Sequence, residues 1–539
     1  MPSPFYPRRP GRALRAGLPA AFGLVLFAPL PIGSALAAGN TVTIDDAGTY
    51  SDIFGNYSGQ GTIQTGTDPT GGPSSENQLT VTSATVGGYV VGGQVMNGTG
   101  GPYSGSADAG ANTVTINALN GTLSNVTGGT STEGGNANNN TVTVKAGTIV
   151  GINGGMSNSG TANGNIVTVS GGTISGDVLG GEGKTAAVTN SVTVSNGAVV
   201  SGNIYGGIGH YTSIGNTVTI DASFIGSVTG NIIGGLTEGD AATDKATGNT
   251  VTINTSGWTF SGDIYGGMTF NGQGDVFTGN TLNLAAGNSL GSVYNMNILN
   301  FTSAGNAGIA TLDTTATGAA GTPKVTLNTN AYDILFSGAV TGSGGIDKTG
   351  AGTLTLAGAN TYSGDTAITG GGLTVTGTLG SGGAYAGTIA NNGALVFDQS
   401  SAQTLSGVIS GTGSLTKTGA GVLTLSGANT YSGDTTVSGG GLTVTGTLGS
   451  GAYAGAIANS GALVFDQSSA QTLSGVISGA GTLEKAGAGV LTLSGANTYS
   501  GDTTVSGGGL TVTGTLGSGA YAGAIANSGA LVFDQSSAQ

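Results

Sequence analysis

A short segment, Asn followed by alternating hydroxyl and aliphatic residues, recurs along the first half of the chain. From Asn112 onward, successive copies begin roughly 25 to 35 residues apart, a period typical of solenoid repeats. So short a strand cannot bury its apolar face alone, so the copies are predicted to stack into a solenoid with one continuous core. The copies are Asn40–Ile44, Asn112–Ile116, Asn140–Val144, Asn165–Val169, Asn190–Val194, Asn216–Ile220, Asn249–Ile253 and Asn280–Leu284.

A second short strand follows about ten residues later in most copies and ends on a Gly-Gly pair, as in Ser201–Gly207 and Ser261–Gly267. Each unit therefore reads as strand, turn, strand, turn. The leucine-rich consensus is absent, and glycine, at 110 of 539 residues, is too frequent for helices. The sequence predicts an all-β fold, a parallel β-helix (β-solenoid).

The residue types within each unit predict its interior and its surface. Val and Ile should point inward, with Thr outward, because successive strand residues face opposite sides. The Asn at each strand start is predicted to form a ladder of side-chain amides between neighbouring copies. The Gly-Gly pairs are expected to supply positive φ angles at the corners.

A longer repeat occupies the end of the chain. The segment Asp347–Thr366 recurs with Tyr431 and Tyr499 in place of Tyr362, at spacings of roughly 70 residues. Residues 490–539 match residues 422–471 at every position. Such copying indicates a segment that lengthens a structure. Because the sequence stops within a repeat, we expect further sequence downstream.

The N-terminus has the three-part order of an export signal. Four arginines, Arg8, Arg9, Arg12 and Arg15, precede an apolar stretch, which is followed by small residues. The expected cleavage lies between Ala37 and Ala38. The predicted organisation is a signal peptide at 1–37, an Asn/Thr/Gly-rich β-solenoid at 38–300, an irregular connection at 301–323 and the longer repeats at 324–539.

Composition excludes several functions. The chain has no Cys, which rules out disulfides, Cys-ligated metals and thiol catalysis. After removal of the signal, seven Lys, no Arg and 25 acidic residues would remain, a formal charge of 7 minus 25, or −18. Such a chain lacks the basic surface that neutralises phosphates, so no nucleic-acid partner is expected.

Three isolated matches to catalytic motifs carry little weight. Ser289, in Gly287–Gly291, fits Gly-x-Ser-x-Gly, a pattern expected by chance in so glycine-rich a chain. His210 is the only histidine and lies in a predicted corner. Gly183–Thr185 resembles the end of a phosphate-binding loop whose first glycine is replaced by Val178. We predict no catalytic residue and no cofactor.

The acidic and aromatic residues also have structural interpretations. Asp45 and Asp46 should point to opposite faces of a strand and so make a poor glycosidase pair. Asp365, Asp434 and Asp502 recur at one turn, where they are expected to bond backbone N–H groups, and no metal site is predicted. The tyrosines near the Gly-Gly corners are expected to form a stack in the core, or, if outward, a row that binds glycans or another rod. They are Tyr205, Tyr265, Tyr89 and Tyr294.

The segment Lys417–Val437 closely resembles the autotransporter-associated β-strand repeat, also called the passenger-associated transport repeat, and the likeness covers about a third of the chain. The resemblance implies an autotransporter (type V secretion) passenger of a Gram-negative bacterium, with a right-handed β-helix that folds after export to the cell surface or the medium. It also implies a C-terminal outer-membrane β-barrel translocator in the full-length protein, and this sequence has no such segment.

On this basis we expect an adhesin or aggregation stalk. The expected partners are protein or glycan molecules on host or neighbouring cells, or further copies of the chain. The alternatives are a β-helical polysaccharide-degrading enzyme and a purely structural spacer that aids secretion. An enzyme would need Asp, Lys or His grouped on neighbouring rungs, whereas the predicted rungs offer mainly Thr, Ser, Asn and Gly.

Overall fold

The fold is a right-handed parallel β-helix, as predicted. A computed structural model describes residues 41–44, 49–50, 53–54, 77–82, 84–86, 88–95, 108–131, 135–239, 241–270, 272–316 and 323–536. The strand ladders in these ranges are parallel, and the helical content there is two single 3-10 turns, Gly449–Gly451 and Gly517–Gly519. No helix among the described residues is long and apolar enough to cross a membrane. The predicted signal peptide, the Ala37/Ala38 cleavage site, Asp45 and Asp46 lie outside the described residues.

Two large sheets dominate the first half. Sheet I has 15 strands: Thr41–Ile44, Gln78–Val81, Thr113–Ile116, Thr141–Val144, Ile166–Val169, Ser191–Val194, Thr217–Ile220, Thr250–Ile253, Thr281–Leu284, Ile298–Phe301, Lys324–Asn328, Gly345–Thr349, Thr366–Ile368, Ile389–Asn391 and Ile409–Ser410. Sheet II has 20 strands: Ile53–Phe54, Tyr89–Val91, Gln94–Val95, Thr122–Thr127, Thr130–Ser131, Thr148–Asn153, Met156–Ser157, Thr173–Ile174, Val178–Leu179, Glu182–Gly183, Val199–Val200, Ile204–Tyr205, Ile208–Gly209, Ser227–Val228, Ile232–Thr237, Thr259–Phe260, Ile264–Thr269, Ser289–Tyr294, Ile309–Asp313 and Ala339–Thr341.

Three sheets build most of the second half. Sheet III has nine strands: Gly305–Asn306, Ile334–Phe336, Thr353–Leu356, Gly372–Val375, Ala394–Phe397, Ser414–Lys417, Thr435–Val437, Ile457–Asn459 and Ile477–Ser478. Sheet IV has eight: Ala384–Tyr385, Gln403–Leu405, Val422–Leu425, Gly441–Val444, Ala462–Phe465, Thr482–Lys485, Thr503–Val505 and Ile525–Asn527. Sheet V has five: Ala452–Tyr453, Gln471–Leu473, Val490–Leu493, Gly509–Val512 and Ala530–Phe533. The three further pairs are Thr49–Tyr50 with Thr85–Val86, Ala186–Val188 with Thr212–Ile214, and Ala359–Asn360 with Thr378–Leu379.

The stretch 301–323, predicted as an irregular connection, contains strands. Gly305–Asn306 begins sheet III and Ile309–Asp313 lies in sheet II. Sheet I continues past this stretch, because Ile298–Phe301 pairs directly with Lys324–Asn328. Residues 38–539 form a single compact unit in which both repeat systems share one stack of rungs.

The interior is one apolar column, confirming the predicted inward and outward positions. In Thr113–Ile116 both aliphatic side chains are fully buried, and the two threonines are half-buried on the outer face. The same alternation recurs in the strands that pair with this one on either side. The buried residues of successive rungs belong to a single cluster that extends from Ile44 to Leu516.

The asparagine ladder is confirmed and lies inside the solenoid. From Asn77 to Asn249, each Nδ2 donates to the Oδ1 of the next ladder Asn at 2.9 to 3.3 Å, and each of these Oδ1 atoms also accepts the backbone N–H of the preceding Asn. The described members are Asn77, Asn112, Asn140, Asn165, Asn190, Asn216, Asn249 and Asn280, all buried. Asn77 was missed in the sequence because Gln78 follows it where most copies have Thr.

The Gly-Gly pairs have a different role from the one predicted. Their φ angles are not positive; the positive φ falls on the residue just before a ladder Asn, such as Gly215 or Thr189. A Cβ on Gly206 would lie 2.3 Å from the carbonyl oxygen of Gly234 and 2.9 Å from the Cβ of Asn216. The expected positive φ was therefore wrong: glycine is needed here so that the corner can approach the ladder and the next rung.

We expect Asn190→Ala to lower the free energy of unfolding by about 2–4 kcal/mol, because it leaves buried donors and acceptors of both neighbouring rungs without partners. Asn190 donates to Ala162 O at 2.8 Å and to Asn216 Oδ1 at 3.0 Å. The matched control is Thr193→Ala on the outer face of the same rung, expected within about 0.5 kcal/mol of wild type. Urea unfolding followed by circular dichroism measures both; equal midpoints for the two variants would refute the role of the ladder.

A pair of glycine variants separates close packing from backbone conformation. Gly206→Ala should destabilise the chain by about 1–3 kcal/mol through the overlaps described above. Gly197→Ala should change stability little, because no atom lies within 4 Å of the added methyl group. Neither glycine has a positive φ. The unfolding midpoints of the two variants provide the comparison, and a harmless Gly206→Ala would show that the corner can relax.

Candidate functional site

Ser289 lies in a strand and lacks the surroundings of a catalytic serine. It is exposed in Ser289–Tyr294, where it pairs with Thr259, and its hydroxyl has no hydrogen-bond partner among the described residues. A nucleophile elbow requires a sharp strand-to-helix turn and a nearby base. Among the described residues, Ser289 begins a strand that is followed by another strand, and its hydroxyl bonds no base.

His210 and Lys184 occupy successive rungs of one corner. The backbone N–H of Lys184 donates to Ser157 O at 3.0 Å, and that of His210 donates to Gly183 O at 3.2 Å. The His210 ring packs edge-on against Tyr211, with centroids 4.5 Å apart. Lys184 follows a strand and precedes another, so no helix N-terminus is available to hold a phosphate.

The recurring aspartates bond backbone groups, as predicted, but across rungs. Asp365 Oδ1 accepts the N–H of Thr388 at 2.8 Å. Asp434 and Asp502 accept the N–H groups of Ala456 and Ala524, each at 2.9 Å. Within the described ranges, His, Asp and Glu side chains form no group of three or more that could hold a metal ion.

The tyrosines near the Gly-Gly corners lie outside the main core, against the favoured inward arrangement. Tyr205 follows Ile204, which points into the core, so the tyrosine projects from the opposite face. Tyr205, Ile233, Tyr265 and Tyr294 form one column in register, and the last two rings stack with centroids 5.0 Å apart. Tyr89 does not belong to this column, because it pairs with Asn125, two positions earlier in the rung.

The column is covered by a second apolar cluster that the sequence did not reveal. Ile208 and Leu236, each immediately after a Gly-Gly pair, pack against Tyr205 and Ile233, with Met268 at the edge. Tyr205 is only 4% exposed. The chain bends at each Gly-Gly pair, so outward side chains before and after the bend bury one another. The favoured placement in the main core was wrong, although Tyr205 is buried.

Each long repeat contains a Tyr-Thr-Tyr triad, which is buried except for the partly buried Tyr521. Tyr362 Oη and Tyr385 Oη each lie 2.7 Å from Thr366 Oγ1, and Tyr385 also donates to Gly364 O at 2.5 Å. The other triads are Tyr431, Thr435 and Tyr453, and Tyr499, Thr503 and Tyr521. Burial raises the pKa of Tyr362 to about 12, so the phenol stays neutral and keeps its hydrogen bond to Thr366.

Each long repeat also buries a lysine among backbone carbonyls. Lys348 Nζ donates to Thr349 O, Gly350 O and Gly370 O at 2.8, 3.0 and 3.1 Å. Lys417 and Lys485 donate to Gly419 O and Gly487 O in the equivalent places. Burial lowers the pKa of Lys348 to about 8, against the opposing effect of Asp333 and Asp347. Recurrence of Lys and Tyr at fixed repeat positions was the signal that sequence reasoning left unused.

The outer face of sheet I is a regular polar surface. Successive rungs align Thr115, Thr143, Thr168, Thr193 and Thr219 in one column, with Thr252 next. A parallel column carries the residues two positions earlier in each strand, such as Thr113 and Thr141. The hydroxyls of the five aligned threonines have no hydrogen-bond partner in the described part of the chain, which leaves them available to a ligand.

The buried lysines predict an unusual dependence of stability on pH. Burial lowers the pKa of Lys348 to about 8 and also lowers the pKa values of Lys417 and Lys485. For Lys348, the unfolded chain therefore binds more protons between about pH 8 and 10, and stability should rise with pH there. Above about pH 10 it should fall, because the buried tyrosines have raised pKa values and stay protonated only in the folded state. Urea midpoints from pH 7 to 11 measure both limbs. Lys348→Met should reduce the rise and the exposed control Lys145→Met should not; a flat profile would contradict this assignment.

A comparison with protein families identifies the long repeats. The passenger-associated-transport-repeat model matches residues 346–375, 415–444 and 483–512. Each match begins at the strand that carries the buried lysine and covers the first tyrosine and the threonine of one triad. The search of curated proteins returns no match. The chain therefore carries three passenger-associated-transport repeats and matches an autotransporter passenger.

Proposed function

We propose that this passenger is an adhesin or aggregation stalk that binds by multivalent contact along its rungs, with no enzymatic activity. Passenger-associated-transport repeats imply an outer-membrane translocator partner and export to the cell surface, or secretion, in a Gram-negative bacterium. The finer assignment rests on the outer face of sheet I, where one polar position is repeated rung after rung at about 4.8 Å. Many weak, regularly spaced contacts can together bind firmly without a pocket.

The distribution of charge supports contact with uncharged or weakly polar surfaces. The three lysines of the long repeats are buried, whereas the recurring aspartates of these repeats, Asp365, Asp434 and Asp502, lie at the surface. The aligned threonines of sheet I present hydroxyl and methyl groups and carry no charge. Protein or glycan molecules on host or neighbouring cells, and further copies of the chain, are the partners that we propose.

Two other functions remain as alternatives. A polysaccharide-degrading enzyme would require acid and base groups within reach of one another, and His210 and Ser289 contact no such partner in the described residues. A purely structural spacer is favoured for the long repeats by their copied sequence and buried networks. We assign the spacer role to residues 324–539 and the binding role to the preceding half.

Beads coated with the exported chain test the proposal by their attachment to cultured epithelial cells and to one another. The test variant combines Thr143→Glu, Thr168→Lys, Thr193→Glu and Thr219→Lys, which adds bulk and charge to the sheet I column and keeps opposite charges adjacent. We expect attachment or aggregation to fall at least tenfold, because every contact in a multivalent array is weakened.

The matched control places the same charges on sheet III, with Thr355→Glu, Thr374→Lys, Val396→Glu and Thr416→Lys. These four residues also form one outward column in register. The control should attach like wild type, and circular dichroism should show both variants folded. Equal attachment by wild type and the sheet I variant would overturn the binding role of this face. Release of reducing ends from a polysaccharide, abolished by His210→Ala, would favour the enzyme.

A further inference from the structure

The copies of the long repeat do not lie directly above one another. The strand Thr353–Leu356 belongs to sheet III, whereas its equivalents Val422–Leu425 and Val490–Leu493 belong to sheets IV and V. The same shift separates three other equivalent strands, Ala394–Phe397, Ala462–Phe465 and Ala530–Phe533. Every copy is therefore displaced by one sheet relative to the copy before it.

The displacement follows from the length of a rung. Registered partners in sheet III, such as Thr353 with Gly372 and Ala394 with Ser414, are about 20 residues apart, which is the length of one rung. Each rung runs along three faces in turn. The copy from Ser414 to Gly481 passes along a face ten times. Ten passes over three faces equal three rungs and one further face.

The displacement is a rotation, because the faces close on themselves. Sheet I ends at Ile409–Ser410, and the next rung continues that face where Thr430 N donates to Ile409 O at 2.8 Å. Asn429 N then donates to Thr447 O at 2.9 Å, and Leu448 N donates to Gln471 Oε1 at 2.8 Å in the next rung, where sheet V lies. Sheet V thus occupies the face that sheet I left, so three copies complete a circuit.

The buried networks rotate with the copies. Thr366, Thr435 and Thr503 lie in sheets I, III and IV, yet each is 2.7 or 2.8 Å from the two tyrosines of its triad. Each lysine likewise donates to the carbonyl oxygen of the glycine two positions later. The three faces are therefore equivalent scaffolds, and a copy can be added without breaking the stack.

We propose that the number of copies of the long repeat sets the direction in which the asparagine-ladder half faces relative to whatever follows the repeats. Each added copy lengthens the rod by about 16 Å, at about 4.8 Å per rung. It also turns the asparagine-ladder half by about 120° about the rod axis relative to the segment after the repeats. Three added copies lengthen it by about 48 Å and restore the original direction. This inference rests on strand register and is independent of the adhesion proposal.

The experiment inserts one, two or three further copies of residues 422–489 after residue 489. The chain has no cysteine, so single Cys residues at Ile225, which is 87% exposed, and at Thr511 can carry gold markers. Electron microscopy then gives the angle between the markers about the rod axis. We expect a change of about 120° for one copy, about 240° for two and no change for three. An angle that stays constant after one insertion would overturn the proposal.

A measurement without insertions tests the same geometry. Spin labels at Thr374 and Thr443, which are equivalent outward positions in sheets III and IV, should be separated by more than the axial rise of about 16 Å, because they lie on different faces. The control pair Thr374 and Thr416 lies two rungs apart on one face and should give about 10 Å. A Thr374–Thr443 distance equal to the axial rise would show that copies stack in line.

Discussion

The structure depends on the hydrogen bonding of buried polar groups between rungs about 4.8 Å apart. Parallel strand pairing satisfies the backbone, but a corner that enters the core exposes amides and carbonyls which water cannot reach. In the first half, the ladder asparagines solve this problem, since each Oδ1 accepts both the backbone and the side-chain N–H of its neighbour. An Asn fits only if the opposite corner is glycine, which explains the Gly-Gly pairs.

The transport repeats meet the same constraint with further residue types beside buried asparagines such as Asn360. Their corners use a buried lysine ammonium on backbone carbonyls and a threonine hydroxyl shared by two tyrosines. Lys348 donates to carbonyl oxygens one and two positions later and to Gly370 O of the next rung, and Thr366 joins Tyr362 to Tyr385 of the next rung. Both halves nevertheless share one apolar core. The change of corner chemistry therefore does not interrupt the stack.

The placement of polar groups also bears on function. In the long repeats, the buried lysines bond carbonyl oxygens, the triad tyrosines bond threonine, and Asp365 accepts a backbone N–H of the next rung. The threonine hydroxyls of sheet I remain available in a regular array. Such a regular array is the feature on which the proposed multivalent binding rests.

The sequence by itself determined the parallel β-helix, the inward and outward faces and the asparagine ladder, because these depend on residue spacing along a single rung. It also identified the transport repeats, whose residues are copied almost unchanged. The tertiary structure decided the role of the Gly-Gly pairs, the outer cluster around Tyr205 and the rotation of successive copies. These features arise from contacts between rungs and from the bend of the chain at each corner. A linear pattern gives the length of a repeat but not the length of a rung, and successive copies rotate because one repeat is not a whole number of rungs.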